Sequence, residues 1–70
     1  MTHVRVFFDP EGNTLTVWFG ESQDEFTSEE TGDEVILIKN RNGQVIGFEK
    51  LNFSVASTKQ LRLTFETMTA

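Results

Sequence analysis

Apolar residues in this chain recur at every second position and are interrupted by clusters of turn formers, which is the spacing of strands, not of helices. Val4, Val6 and Phe8 alternate with His3, Arg5 and Phe7, and Asp9-Pro10-Glu11-Gly12-Asn13 then breaks the run. Leu15, Val17 and Phe19 resume it against Thr14, Thr16 and Trp18. Valine, threonine and the aromatics suit a pleated, half-buried surface because their side chains lose χ1 freedom in a helix. The spacing predicts a hairpin whose register is set by hydrophobic matching, since one residue of slip moves a whole side-chain set to the other face. A three-residue loop would place Phe8 opposite Thr14 and split the apolar set. A four-residue loop places Phe8 opposite Leu15, Val6 opposite Val17 and Val4 opposite Phe19, with Asn13 at a positive φ that it tolerates.

A second hairpin is expected from Val35-Ile36-Leu37-Ile38 and Val45-Ile46-Gly47-Phe48, closed by the three-residue loop Arg41-Asn42-Gly43. That loop pairs Ile38 with Ile46, Ile36 with Phe48, and Glu34 with Lys50 as a cross-strand ion pair. Shifted by 31 positions, residues 4–17 lie over residues 35–48, with shared punctuation at Asp9/Asn40, Gly12/Gly43 and Asn13/Gln44. An old duplication and convergent turn chemistry both account for this likeness. Between the hairpins, Gly20 to Glu34 is acidic and has no basic residue; Phe26 is its only large apolar anchor, and a short edge strand fits Glu25–Glu30. Gly32-Asp33 reads as the turn into the second hairpin. In the tail, Ser57-Thr58-Lys59-Gln60 resembles a capping box and Leu61, Phe65 and Met68 have helical spacing, but Leu61, Leu63 and Phe65 also alternate strictly. With Thr58, Thr64 and Thr67 weakening a helix, residues 58–67 are expected to form a fifth strand. The fold expected is all-β: a small antiparallel meander of two hairpins plus that strand, in one domain spanning residues 1–70.

Such a domain is short of core. At 70 residues it buries only about 60% of its unfolded surface, and lacking cysteine it has no disulfide or thiolate–metal staple. Yet it carries more apolar side chains than one face of a sheet needs. Phe7 and Trp18 fall opposite the Val4–Phe8 and Leu15–Phe19 set, and Val35 to Ile38 is apolar on both faces. Either the sheet closes on itself as a small barrel, or another chain covers it. Large exposed apolar patches mark interaction sites, so a homodimer through a sheet face, or a protein partner, is expected. The surface assigned to it is Phe7, Trp18, Ile36 and Ile38, with acidic Glu29 and Glu30 nearby.

Charge narrows the partner. Residues 1–34 hold nine acidic groups and one basic group, whereas residues 35–70 hold two acidic and five basic, for a net charge of −5. This balance argues against phosphate backbones and is consistent with an acidic loop that steers toward a small basic protein, or simply keeps the chain in solution. No run of 18 apolar residues is present to span a membrane. The first eight residues lack the pattern of a signal peptide, so a cytoplasmic location is expected.

Catalytic and metal constellations are thin. His3 is the single histidine, and zinc would have only carboxylates to join it. Asp9 to Asn13 lacks the spacing and the terminal glutamate of a calcium loop. Glu29, Glu30, Asp33 and Glu34 are not oriented by any motif, Ser28, Ser54 and Ser57 have no base nearby in sequence, and there is no phosphate loop. No catalytic residue, metal ligand or cofactor is assigned, and the chain is not expected to be an enzyme.

The order of several short motifs resembles a known family. Phe8-Asp9-Pro10-Glu11, Leu15-Thr16-Val17-Trp18-Phe19, Thr27-Ser28-Glu29-Glu30, Val35-Ile36-Leu37 and Asn42 through Asn52 are similar to the small bacterial domain of unknown function 2283, over about residues 4–54. The chain departs from that pattern at Thr16, where an aromatic is usual, at Trp18, where a basic or polar residue is usual, and near Ile38 and Asn40, where aspartates are usual. The resemblance implies a short, β-rich protein without an assigned activity, antitoxin-like beside small basic ribonuclease-like toxins. The function expected is therefore a non-catalytic interaction module, the alternative being a structural or ligand-binding homo-oligomer.

Overall fold

The first hairpin forms in the register that hydrophobic matching demands. Strands β1 (Arg5–Asp9) and β2 (Thr14–Trp18) pair antiparallel, with Phe8 opposite Leu15 and Val6 opposite Val17. The computed structural model describes residues 3–54 and 61–68. Val4 and Phe19 lie one residue outside these strands. In the four-residue turn, the Asp9 carboxylate accepts from the backbone N–H of Glu11 (3.0 Å) and Gly12 (3.2 Å), and Asn13 takes φ 56°. An aspartate that holds the backbone two residues on is what makes this cluster a turn.

Three further strands complete one sheet: β3 (Thr27–Glu30), β4 (Val35–Lys39) and β5 (Val45–Lys50). All neighbours are antiparallel and their spatial order is β1-β2-β5-β4-β3. β3, β4 and β5 form a meander, and the first hairpin joins it through β2 and β5, so β2-β5-β4-β3 has Greek-key order. The link from β2 to β3 contains a single 3₁₀ turn, Ser22–Asp24.

The expected fifth strand is corrected. The described part of the tail, residues 61–68, carries neither strand nor helix, and the capping-box residues 57–60 lie outside the described residues. The fifth strand is instead β3, which lies inside the expected window Glu25–Glu30 and pairs with the edge of β4.

The register of the second hairpin is corrected as well. At the turn the expected three-residue loop stands: Asn40 N–H donates to Gln44 O (3.0 Å), and Lys39 pairs with Val45. A β-bulge at Ile46 then shifts the ladder by one residue, so Ile38 faces Gly47, Leu37 faces Phe48 and Ile36 faces Glu49. The cause lies in the next strand. Gly47 also pairs with Trp18, and a Cβ there would stand 2.6 Å from Val17 O and 3.2 Å from Trp18 Cε3. Only the residue without a side chain fits beneath that indole, and the bulge brings it there. The bulge is anchored from β2, since Phe19 and Gly20 both donate their N–H to Ile46 O (3.0 and 2.9 Å). Lys50 now faces Val35, yet its Nζ still reaches Glu34 Oε2 at 3.4 Å.

Packing is shallow. Ile38 and Ile46, on either side of the bulge, are the buried apolar side chains among the described residues. After β5 the chain turns at Asn52 (φ 54°), and Phe53 packs edge-to-face on Phe8 with ring centroids 5.8 Å apart. Val4 and Val6 then share an open groove of about 490 Å³ with Leu63, Thr64 and Phe65 of the tail.

Candidate functional site

Directly opposed residues in an antiparallel sheet share a face, so the register sorts every side chain to one of two surfaces. One row runs Arg5, Trp18, Gly47, Ile38, Ser28 and the next runs Phe7, Thr16, Glu49, Ile36, Glu30. Together they form the Trp18 face. The other surface, the Phe8 face, has the rows Val6, Val17, Phe48, Leu37, Glu29 and Phe8, Leu15, Lys50, Val35.

Of the six residues assigned to an interface, Phe7, Trp18, Ile36, Ile38 and Glu30 fall on the Trp18 face. Glu29 does not. It lies opposite Leu37 on the Phe8 face, where its carboxylate is ion-paired with Lys39. Within the Trp18 face, Phe7 is 53% exposed and the Arg5 guanidinium stands 5.8 Å from its ring. Trp18 and Ile36 are half-buried and Ile38 is buried beside Gly47. The face thus draws its apolar side chains from three strands, β1, β2 and β4, with Gly47 and Glu49 of β5 between β2 and β4.

The sequence reading missed Glu49. This half-buried carboxylate occupies the centre of the Trp18 face, between Thr16 on β2 and Ile36 on β4. Thr16 Oγ1 donates to Glu49 Oε2 at 3.4 Å. In an unbulged ladder Glu49 would stand on the opposite face, and a glycine inside a strand pattern was the one signal that pointed to a bulge. With Asp9, Glu30 and Glu49 against Arg5, the face has a surplus of two negative charges. The ion pairs among the described residues, Lys39–Glu29 and Lys50–Glu34, involve neither Glu30 nor Glu49.

The acidic connection borders this face at the β3 edge of the sheet. Phe26 N–H donates to Lys39 O (2.8 Å), and Arg41 of the second turn covers the Phe26 ring at 4.5 Å. That contact draws Asp24 and Glu25 beside Arg41 around an open cleft of about 480 Å³. At the other end of β3, Thr31 donates both its N–H and its hydroxyl to Val35 O. Glu34, at φ 61°, accepts from Asn52 Nδ2 (2.9 Å) and Lys50 Nζ (3.4 Å). These two bonds, the first more than the second, together with the Lys50 charge, hold the Glu34 carboxyl below its ordinary value of 4.5. Among the described residues, no three histidine, aspartate or glutamate side chains converge as a metal site.

A family model described as "Protein of unknown function (DUF2283)" matches residues 5–54, a span that contains all five strands. No curated protein matches the chain. No solved structure matches it either.

Proposed function

The chain belongs to the DUF2283 family of proteins of unknown function, and from that premise we propose that it is a non-catalytic interaction module, antitoxin-like in that its Trp18 face receives a small basic protein. The observation that carries this reading is Glu49. A carboxylate set among Phe7, Trp18 and Ile36, with one threonine hydroxyl and no cation on it among the described residues, favours an incoming lysine or arginine. The pair would be charge-assisted and partly desolvated, which strengthens it relative to an exposed ion pair. Trp18 offers the stem or the guanidinium of such a side chain an aromatic surface. Glu30, and the acidic segment beyond β3, extend the same field and would steer a basic partner toward the face.

The test is to co-purify the tagged chain from its cells, identify the retained protein, and titrate it against wild type, Trp18→Ala and Glu49→Gln. A basic protein is expected, with Trp18→Ala weakening association by about 2 kcal/mol or more, the scale of an interface anchor. Folding, followed by urea titration, should lose less than association does. Equal losses, or a retained protein that binds Glu49→Gln as tightly as wild type, would contradict the assignment.

A further inference from the structure

A sheet with one apolar face needs a second layer, and this sheet has two such faces and no second layer among the described residues. The shortfall is visible in the surface. The chain exposes 5788 Å², whereas a compact monomer of 8.0 kDa exposes about 4,500 Å². Its radius of gyration is 13.4 Å, against about 11 Å for a compact chain of 70 residues. The surplus, roughly 1,300 Å², includes the exposed tail residues Leu63, Phe65 and Met68 as well as the sheet faces, and exceeds the approximately 800 Å² that each partner contributes to a standard interface.

Charge selects the face that a second copy can use. Two chains of net charge −5 repel unless they meet where carboxylates are absent or neutralised. The Trp18 face, with Asp9, Glu30 and Glu49 against Arg5, would bring two such negative surpluses together in a symmetric contact. On the Phe8 face, the charged side chains of the strands are Glu29, Lys39 and Lys50, with Glu29 held by Lys39 and Lys50 held by Glu34. Its centre is Val6, Phe8, Leu15, Val17, Leu37 and Phe48, none of them buried. The tail adds to this surface. Leu63 and Phe65 flank the groove beside Val4 and Val6, yet they remain 67% and 83% exposed.

We propose that the Phe8 face, extended by Leu63 and Phe65, packs against the same face of a second copy, making a two-layer sandwich about a two-fold axis and leaving both Trp18 faces outward. Each copy supplies the layer that the other lacks, as in sandwiches whose sheets pack about 10 Å apart. This inference stands apart from the basic-partner reading, because it uses the opposite surface.

The experiment is light scattering coupled to size exclusion over a range of loading concentrations, with circular dichroism on each variant. Wild type is expected at twice 8.0 kDa. Phe65→Asp and Leu63→Asp, whose side chains are exposed in the single chain and so leave it folded, should each weaken the dimer about tenfold or more. Phe7→Asp, on the opposite face, should leave it unchanged. A monomer at every concentration, an assembly larger than a dimer, or a dimer weakened by Phe7→Asp and not by the tail variants would overturn the proposal.

Discussion

Glu34 shows how much a single exposed side chain can organise. It precedes β4 in a left-handed conformation that glutamate rarely adopts, and it accepts hydrogen bonds from Asn52 and Lys50 at the far end of β5. Its backbone carbonyl accepts from Leu51 N–H at 2.7 Å as well. The junction is thereby stapled where the sheet delivers the chain to Phe53 and the Phe8 face. Because the carboxyl is held below its ordinary value in the folded chain, its contribution is complete above the unfolded pKa and is lost as pH falls through the folded one. The urea midpoint of wild type should therefore exceed that of Glu34→Gln near pH 7 and converge with it once the pH has fallen below the folded-state pKa. Parallel curves at all pH values would show that the staple is not electrostatic. The sequence anticipated the Glu34–Lys50 pair, which survives although its strand register does not, because long side chains reach across a one-residue shift. Asn52 was not legible, since its role depends on a turn that follows β5.

At the scale of elements, turns were easier to read than ladders. Asp9 and Asn40, matched by the shift of 31 positions, do the same work: each side-chain oxygen accepts from the backbone two residues on, Glu11 in one turn and Asn42 in the other. The left-handed residue differs, Asn13 in the first turn and Gly43 in the second, which accommodates loops of different length. Hydrophobic matching across these turn formers therefore predicted both loop lengths. What it missed was the bulge, because hydrophobic matching rewarded the regular pairing of Ile38 with Ile46, whereas the real constraint is the space that Trp18 takes above Gly47. Gly47→Ala is expected to destabilise the sheet by about 1–3 kcal/mol through overpacking against Val17 O and the indole, measured by urea unfolding. A neutral substitution would mean that the bulge has another cause. The tail misled for a related reason: alternation at Leu61, Leu63 and Phe65 is a strand pattern, but a strand also needs ladder hydrogen bonds, and residues 61–68 make none with either edge strand, β1 or β3.

For the whole molecule, the bulge decides the distribution of charge. By shifting β5 one residue against β4, it places Glu49 on the Trp18 face and Lys50 on the Phe8 face, so that, among the described residues, one surface is apolar with carboxylates outside any ion pair and the other apolar with its charges paired. Five of the six side chains assigned from sequence gather on the first surface because the bulge also brings Ile36, Ile38 and Glu30 to the face of Phe7 and Trp18. Glu29 separates from them because it is one residue out of phase with Glu30. A dimer through the Phe8 face would repair the missing layer while leaving Trp18 free to meet a basic protein. The single tryptophan gives the most direct test of this division. Acrylamide quenching of Trp18 should be the same in wild type at dimer-forming concentrations and in Phe65→Asp. Marked protection in the wild-type dimer would place the Trp18 face inside the self-contact and contradict the account.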